Sequence, residues 1–375
     1  VDPYRTSSRV YDEVKEIPGF NTLDEYFSSD VTRADLAVIA TPIPLHREQT
    51  IQCLEHGLHV MCEKPPAALL CDLQAMIEAS EKAGRLLGFG FQWSYYKEIL
   101  DMKKDIMNER FGPVKLAKCM VCWPRSRSYY QGTWRGHVQG QDGTYILDSV
   151  LSNATAHYLH NLFFLCGPRW NEAAMPESMH ASLYRVHDIE SYDTVSLDIG
   201  ISDERAILYS ASHAVDTLIE PKFEIICERG KFGVDRNDPK ARFYAEDADG
   251  KRTYYGTETY SDQQNSQKLQ WLIRGAQEFK DSGKLIDLPC EGKTAIPHMT
   301  VVNALAFNTK IKSVPKEFVQ EVDNEVMQGP TIRYLAKALS ETYEYTKPLG
   351  QCRLPGLVYE EEVSLDLEDT PALGS

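Results

Sequence analysis

The chain has 375 residues, of which 42% are hydrophobic and 25% are charged, the composition of a globular protein long enough for two domains. Its formal net charge of −15 at pH 7 disfavours nucleic acid and anionic membrane surfaces as partners. No run of about 18 apolar residues occurs, so the sequence predicts no membrane-spanning helix.

The nine cysteines are scattered along the chain, and an odd number cannot all pair within it. This usage differs from that of secreted disulfide scaffolds and favours reduced thiols and a cytoplasmic location. Cys119 and Cys122 form a CxxC pair in an apolar, strand-like stretch, where residues three apart point to opposite faces. A shared ligand site is therefore disfavoured, and we expect no bound metal.

The first elements in chain order alternate between helix-like and strand-like patterns. Residues 4–15 are helix-like, and residues 21–30 form a second short segment. Residues 36–40 are a short apolar run typical of a strand buried on both faces of a parallel sheet. Helical spacing over residues 46–55 follows, and a second apolar run covers residues 58–62. The pattern predicts a strand, a helix and a parallel strand.

The sequence Glu63-Lys64-Pro65-Pro66 stands at the carboxyl end of the second predicted strand. In open α/β sheets, ligands bind at that edge. A lysine at a strand end is nevertheless more often a solvated charge than a catalytic group, and the residues alone leave both interpretations open.

Several spaced motifs in this region agree with one known family. Val38-Ile39-Ala40-Thr41-Pro42, His46, Gly57-Leu58-His59-Val60 and Glu63-Lys64-Pro65 together resemble the nucleotide-domain signature of the Gfo/Idh/MocA oxidoreductases, the group of glucose–fructose oxidoreductase and inositol dehydrogenase. The resemblance implies that Lys64 lies near both the nicotinamide ring and the substrate. It also places Thr41, Pro42, His46 and Glu63 in the cofactor site.

The same resemblance leads to an expectation about the N-terminus. No GxGxxG motif occurs in a strand-to-helix context, so we expect about thirty further residues, with the first strand, the phosphate loop and its helix, before Val1. Asp2 would then bond the adenosine ribose hydroxyls, which favours NAD, with NADP as an alternative because Arg5 is near. Asp2 also fits a simple turn before Pro3, and this alternative stays open.

Residues 69–83 are predicted to be helical, and residues 86–91 form the next strand, the last one of the nucleotide domain in the resembling family. Trp93 and Tyr95 follow it and are candidates for an aromatic wall against a sugar ring, although core packing explains them equally well. We place a domain boundary here, with a dinucleotide-binding domain over residues 1–95.

The second domain is predicted over residues 96–350, and an acidic, solvated tail over residues 351–375. The expected fold is thus a Rossmann-type α/β domain, lacking its first strand, plus an α+β domain with a large, open, mostly antiparallel sheet. The family uses the open sheet face for oligomerisation, which implies a homodimer or homotetramer. The predicted strands cover residues 114–123, 179–186, 194–201, 206–213, 223–228 and 231–235, and the helices 96–110, 263–280, 295–311 and 326–346.

A second stretch with catalytic character lies between Asp148 and Arg169, where no charged residue occurs. Such a segment predicts a helix buried on nearly all sides. Its polar residues share one stripe by their spacing and require polar partners, either within the protein or in a binding site. These residues are Asn153, His157, His160 and Asn161.

The resemblance favours a binding site. The family's second motif is Asp-x-x-x-His, and here Asn153-Ala154-Thr155-Ala156-His157 matches it with an amide in place of the acid. An amide holds a sugar hydroxyl but cannot act as a base. The alternative alignment on Asp148 puts Ser152 where the histidine belongs. Asp148 and His160, together with Arg125 from the irregular loop over residues 123–145, are further candidates for substrate binding.

These groups suffice for hydride transfer from an alcohol. His157, with an ordinary pKa near 6.5, suits the role of base, and Lys64 as a cation would polarise the oxygen. The sequence thus predicts an NAD(P)-dependent oxidoreductase acting on a secondary hydroxyl of a sugar, sugar derivative or polyol, or on the matching ketone. Two alternatives remain: a glycoside-cleaving enzyme that oxidises its substrate transiently, and a non-catalytic sensor of sugars or dinucleotides.

Overall fold

Two sheets organise the part of the chain that the structure describes. The computed structural model describes residues 1–7, 11–132, 134–202, 204–235, 242–256, 266–346, 349, 357 and 361–367. The side chain of Arg5 and most of the predicted acidic tail lie outside these described residues. One sheet has three strands and the other ten, with a two-stranded hairpin besides.

The N-terminal domain is built on three parallel strands, β1 (Leu36–Ile39), β2 (His59–Cys62) and β3 (Leu87–Phe89), in that order. Leu36 pairs with His59, and Val60 pairs with Leu87. All four residues of the central strand β2 are buried, as its uninterrupted apolar sequence predicts. The strand, helix and strand expected around Lys64 are therefore present.

The described residues of this domain form four α-helices. The third and fourth connect the parallel strands, and the fourth ends at Gly84, whose φ of 60° lies in the left-handed region that glycine adopts without strain. The four are α1 (Tyr11–Val14), α2 (Leu23–Ser28), α3 (His46–Glu55) and α4 (Leu70–Ala83).

The C-terminal domain carries the large sheet, whose strands follow the order β11-β10-β9-β8-β4-β7-β6-β5-β12, with β15 also paired to β5. The β4–β7 and β5–β12 pairs are parallel and the other pairs antiparallel, so the sheet is mixed but mostly antiparallel. The strands are β4 (Val114–Cys122), β5 (Ser178–Arg185), β6 (Thr194–Ser202), β7 (Arg205–Ser212), β8 (Ile219–Cys227), β9 (Gly230–Val234), β10 (Phe243–Asp247), β11 (Arg252–Tyr255), β12 (Lys312–Ser313) and β15 (Glu361–Glu362).

One face of the large sheet packs against helices that form the main core. These include α5 (Lys97–Met107) and α7 (Ala156–Leu165), with α6 (Arg127–Tyr130) in the loop between them. Cys119 belongs to this core, whereas Cys122 belongs to a second core on the opposite face. The two thiols of the CxxC pair therefore point apart, as strand alternation predicts.

The opposite face is covered in part by C-terminal elements. A hairpin of β13 (Val319–Asp323) and β14 (Gln328–Ile332) precedes the last described helix, Leu335–Tyr345, which packs on β4. The single helix predicted over residues 326–346 is therefore wrong in its first part. Pro330 explains the error, because proline inside a helix removes a hydrogen bond and clashes with the preceding turn.

The two domains meet along helix Gly292–Asn308, which packs against both α4 and α7. Asn303 on this helix donates to the carbonyl of Ala68 at 3.0 Å and accepts from the amide of Leu70 at 2.9 Å. It therefore satisfies backbone groups at the start of α4. In chain order, Gln267–Ser282 is α8, Gly292–Asn308 is α9 and Leu335–Tyr345 is α10.

Part of the predicted acidic tail is ordered against the sheet. Glu361 and Glu362 pair with β5, and the next residue, Val363, is buried in the main core. Residues 361–367 therefore differ from the expected free tail in packing on the sheet through Val363, although their acidic side chains are exposed. The apolar residues that alternate with the acids explain the difference.

Replacing Leu162 with alanine is expected to lower the free energy of unfolding by about 2–5 kcal/mol, because this side chain is fully buried between α7 and the sheet. Leu285→Ala is the control, since Leu285 is 47% exposed and its loss should change stability by about 0.5 kcal/mol or less. Urea denaturation measures both. Equal unfolding midpoints for the two variants would contradict the packing described here.

Candidate active site

The site forms where the end of β2 meets the start of the helical segment that leads into α7. The ammonium of Lys64 donates to the backbone carbonyl of Asn153 at 2.7 Å and to its side-chain Oδ1 at 3.0 Å. Asn153 lies in a π-helical turn, Val150–Ala154, that precedes α7. The contact joins the nucleotide domain to the second domain across 89 residues of sequence.

The π-helical turn differs from the continuous helix that the sequence predicts. Thr155 interrupts it, since its hydroxyl donates to the carbonyl of Val150 at 2.6 Å and α7 begins only at Ala156. Asn153 and His157 therefore do not follow one another on a regular helical stripe. The interruption leaves the carbonyl of Asn153 available to Lys64.

Asp148 holds the side chain of Asn153 in place by a hydrogen bond. Its Oδ1 accepts from Nδ2 of Asn153 at 3.0 Å, and its Oδ2 accepts from the backbone amide of Gly136 at 2.6 Å. Burial raises the pKa of Asp148 to about 6, although these two donors and the charges of Arg135 and Lys64 act in the opposite direction. Because both oxygens already have protein partners, we expect Asp148 to position Asn153 and not to contact the substrate as the sequence predicted.

Glu63 pairs with Lys268 of α8, a lysine that the sequence did not single out. The close fit of Glu63 requires a glycine at position 90, because a Cβ there would lie 2.6 Å from Oε2 of Glu63. Lys268 is 205 residues away along the chain, and no local pattern distinguishes it from a solvated lysine. Only the tertiary fold brings it here.

The pKa of Lys64 is lowered to about 8, chiefly by burial and also by the positive charge of Lys268, while Glu63 and Asp148 act in the opposite direction. The expectation that Lys64 stays cationic is therefore corrected. Near pH 8 it exists in both protonation states.

His157 lies in the first turn of α7, with its ring edge-on to Phe91 at 6.1 Å between centroids. Its Nδ1 has no hydrogen-bond partner among the described residues. Burial, followed by the charges of Lys64, Lys268 and His298, holds its pKa well below 6.5. The imidazole is therefore neutral, and the ordinary pKa assumed from the sequence is wrong.

His298 of α9 is a further site residue that sequence reasoning missed. It is fully buried, its ring lies 5.3 Å from that of Phe91, and neither ring nitrogen bonds to a described residue. Burial lowers its pKa to about 3, opposed by the nearby carbonyl of Leu151, while Lys64 lowers it further. A histidine beside Pro297 in an otherwise apolar helix was the available signal.

Three residues predicted to bind substrate lie in the interior instead. Trp93 is 3% exposed and packs edge-on against Tyr158 at 5.1 Å, and Tyr95 is fully buried with its hydroxyl on the carbonyl of Cys290 at 3.0 Å. His160 is fully buried and stacks on Phe91 at 3.9 Å. The aromatic wall and the second histidine contact are therefore corrected to core packing, the alternative that the sequence left open for the aromatic residues.

The predicted cofactor residues after β1 hold two loops together. Nε2 of His46 lies 2.8 Å from the carbonyl of Thr41, and Nδ1 lies 3.0 Å from the carbonyl of Pro65. His46 is 1% exposed, and burial lowers its pKa despite these carbonyls. His46 thus positions the loop of Lys64 instead of facing a ligand, whereas Pro42 is exposed and Thr41 half-buried.

Asp2 is exposed and accepts from the amide of Tyr4 at 2.8 Å. The turn that the sequence left open is therefore present. The carboxylate retains a second oxygen, so its contact with a ribose stays a prediction.

Arg125 lies just beyond the end of β4 and is half-buried. Its guanidinium lies 5.7 Å from the ring of Trp123 and 5.0 Å from the ring of Tyr129. Within the described ranges, no group of three or more potential metal ligands occurs. The same ranges contain no helix with the length and apolar character needed to cross a bilayer.

The chain is similar to known oxidoreductases in sequence. The model of an oxidoreductase family with an NAD-binding Rossmann fold, GFO_IDH_MocA, matches residues 1–91. Inositol 2-dehydrogenase of Rhodococcus jostii is 37% identical over 99 residues, 26% of either chain. The NADP(+)-dependent scyllo-inositol 2-dehydrogenase IolW of Bacillus subtilis is 25% identical over 254 residues, 64% of this chain and 65% of that protein. The chain thus matches less than two thirds of the length of these relatives.

The fold is similar to that of solved dehydrogenases. The WlbA dehydrogenase of Bordetella pertussis, solved with NADH and UDP-GlcNAcA, superposes with a TM-score of 0.62 over 80% of this chain and 84% of that chain, at 21% identity. At this identity the likeness establishes the fold, a Rossmann-type domain followed by a large mixed sheet.

Lys268→Met is expected to raise the pKa of Lys64. The substitution removes a positive charge and frees Glu63 to attract the ammonium of Lys64, and both changes stabilise the protonated form. The reactivity of Lys64 toward acetic anhydride as a function of pH, followed by mass spectrometry, measures its pKa. Lys284→Met, at an exposed position, is the control. An unchanged or lower pKa in Lys268→Met would contradict this electrostatic account.

Proposed function

We propose that the chain, whose residues 1–91 match the model of the GFO_IDH_MocA oxidoreductase family, is an NAD(P)-dependent dehydrogenase of that family. Its substrate is a secondary hydroxyl of a sugar, sugar derivative or polyol, or the matching ketone. The observation that carries the proposal is the contact of Lys64 with Asn153. This contact fixes a lysine of near-neutral pKa at the sheet edge where ligands of such folds bind.

The residues at this edge fit a nicotinamide cofactor. Thr41 and Pro42 follow β1, Glu63 and Lys64 follow β2, and Asp2 keeps one oxygen for a ribose hydroxyl. His157 is half-buried as a residue, and its Nδ1 is a buried nitrogen without a hydrogen-bond partner among the described residues, as expected of a group that a ligand completes. When bound, the nicotinamide exchanges a hydride with the carbon that bears the hydroxyl.

Lys64 handles the proton of the reacting hydroxyl. The side-chain nitrogen of Lys64 donates two N–H bonds to Asn153, so the third position on this nitrogen is directed at another partner. In the neutral form this position is a lone pair that accepts the hydroxyl proton, and in the protonated form it is a donor that stabilises the alkoxide. A pKa of about 8 makes both forms accessible near neutral pH.

His157 complements the lysine as a neutral group. Its depressed pKa prevents it from charging beside Lys64, so it orients the substrate oxygen by a hydrogen bond instead of carrying a positive charge. The role proposed for His157 is therefore positioning of the reacting hydroxyl, with proton transfer centred on Lys64.

The identity of Asn153 contributes to the low pKa of Lys64. A carboxylate in its place would hold the ammonium by charge, whereas the amide only accepts a hydrogen bond. The carboxylate of Asp148 accepts a hydrogen bond from Asn153 and acts on Lys64 through that residue. The proposed substrate class covers sugars, sugar derivatives and polyols, since the relatives named above include dehydrogenases of inositols. The NADP(+)-dependent relative keeps both cofactors in consideration.

Lys64→Ala is expected to lower kcat by at least about 100-fold, the scale of lost general acid–base catalysis, with cofactor affinity changed by only a few fold. Reduced-nicotinamide absorbance during a screen of polyols and sugars measures turnover, and fluorescence titration measures binding. Lys82→Ala, at an exposed position on α4, is the control. Full activity of Lys64→Ala would refute the proposed role. Substrate conversion without net cofactor reduction would favour transient oxidation and glycoside cleavage.

Asn153→Asp is expected to shift the acidic limb of the pH–rate profile to higher pH. A carboxylate beside Lys64 stabilises its protonated form and raises its pKa, so the neutral form that accepts the proton appears only at higher pH. Asn108→Asp, at an exposed position after α5, should leave the profile unchanged. A shift to lower pH, or none, would contradict the assignment of Lys64 as the titrating group.

A further inference from the structure

We propose that Arg125 and His213 form a subsite for a carboxylate group on the sugar substrate, so that the protein prefers acidic sugars, such as uronic acids, to their neutral counterparts. The inference rests on the proposed function and adds a substrate class to it. Its basis is two nitrogens of neighbouring residues, Nε of Arg125 and Nε2 of His213, for which the described part of the chain supplies no hydrogen-bond acceptor.

The first donor belongs to Arg125. Among the residues that the structure describes, its buried Nε has no hydrogen-bond partner, and Nη1 donates to the carbonyl of the preceding residue, Pro124, at 3.4 Å. No acidic side chain of the described residues forms an ion pair with it. A buried guanidinium nitrogen without an acceptor is costly, and an anionic ligand removes that cost.

The second donor belongs to His213, which follows β7 and is 2% exposed. Its Nδ1 lies 2.7 Å from the hydroxyl of Tyr130, and its Nε2 has no hydrogen-bond partner within the described ranges. When Tyr130 donates to Nδ1, the proton of the neutral ring resides on Nε2, which is then a free N–H donor. The backbone amide of Arg125 donates to the carbonyl of His213 at 3.2 Å, so the two residues are neighbours on parallel strands.

Asp193, a buried acid whose carbonyl accepts from the amide of His213, does not pair with Arg125, because its carboxylate oxygens are occupied by other donors. Asp193 accepts from the amides of Val186 and His187, each at 2.9 Å, lies 2.8 Å from Nδ1 of His187, and accepts from the hydroxyl of Thr194. The carboxylate of Asp193 is therefore satisfied by other donors, and the guanidinium of Arg125 has no ion-pair partner among the described residues.

A continuous set of contacts connects the subsite to Lys64. Tyr130, the partner of His213, lies against Gly136, where an added Cβ would be 3.2 Å from its ring. Gly136 donates to Asp148, Asp148 accepts from Asn153, and Asn153 accepts from Lys64. The subsite thus lies on the Asp148 side of the reacting hydroxyl, at the ends of β4 and β7.

A carboxylate matches these donors better than other groups do. The two oxygens of a carboxylate lie in one plane and can accept from the guanidinium and from the imidazole at the same time. Charge-assisted hydrogen bonds of this kind are stronger than those to a neutral hydroxyl. The subsite has one cation and a histidine whose pKa burial and the neighbouring Arg125 hold well below 6.5. Its single positive charge suits a monoanion.

The test compares matched substrate pairs, each a neutral sugar and the uronic acid of the same stereochemistry, with the parent protein and Arg125→Ala. We expect the parent protein to prefer the acid, and Arg125→Ala to lose about 10- to 100-fold in kcat/KM on the acid, as removal of a hydrogen bond to a charged group predicts, with the neutral sugar changed less than about threefold. Arg127→Ala is the control, because Arg127 is exposed and pairs with Glu321 at 2.6 Å.

Equal losses on both members of a pair would overturn the subsite and make Arg125 a structural residue. Preference for the neutral sugar, or for a sugar phosphate over the uronic acid, would also overturn it. Calorimetric titration of each sugar into the cofactor-bound protein supplies a readout without turnover. Uronic acid binding that depends on Arg125 supports the subsite even if no sugar is oxidised, whereas oxidation of neutral sugars without such binding leaves the proposed dehydrogenase intact and refutes the subsite alone.

Discussion

The site depends on one lysine held in a buried position by uncharged acceptors. Lys64 donates to the carbonyl and the amide oxygen of Asn153, and neither acceptor carries a charge. Burial penalises its ammonium form, and the acids nearby compensate only in part, since Glu63 is engaged by Lys268 and Asp148 acts through Asn153. The low pKa of Lys64 thus follows from which neighbours are charged and which of these are already paired.

The same contact determines how the domains are joined. Lys64 follows β2 of the nucleotide domain, and Asn153 sits in the π-helical turn ahead of α7. His46 fixes the Lys64 loop from the other side by bridging Thr41 and Pro65. Asn303 ties α9 to the start of α4 nearby. A hydride transfer site between two domains needs this rigidity, because small displacements of reacting groups are costly in rate.

The sequence predicted features that local patterns determine. The strands and helix around Lys64, most strands of the large sheet and the opposed CxxC thiols follow from apolar runs and strand alternation. Lys64 and Asn153 were found by motif and do meet. For Trp93 and Tyr95 the sequence left a site wall and core packing open, because a strand end borders both the site and the core, and sequence alone does not tell which side an aromatic ring takes.

Other features depend on contacts between residues far apart in the chain. Lys268 reaches Glu63 across 205 residues, and His298 reaches the site only because α9 packs on α7. The depressed pKa of His157 requires these same neighbours, so no reading of its own segment predicts it. The π-helical turn also depends on a distant residue, because the carbonyl of Asn153 within it accepts from Lys64.

The electrostatics of the site also link its chemistry to folding. Burial raises the pKa of Asp148 to about 6 and lowers that of Lys64 to about 8, so both groups are charged between these values. In the unfolded chain Asp148 ionises at lower pH, so its burial reduces stability as the pH rises through the interval below 6. Lys64 loses its proton more readily when folded, so stability recovers as the pH rises above 8. The interval in which both groups are charged is therefore the interval in which the site costs the fold most, as expected of a functional site that the surrounding core must stabilise.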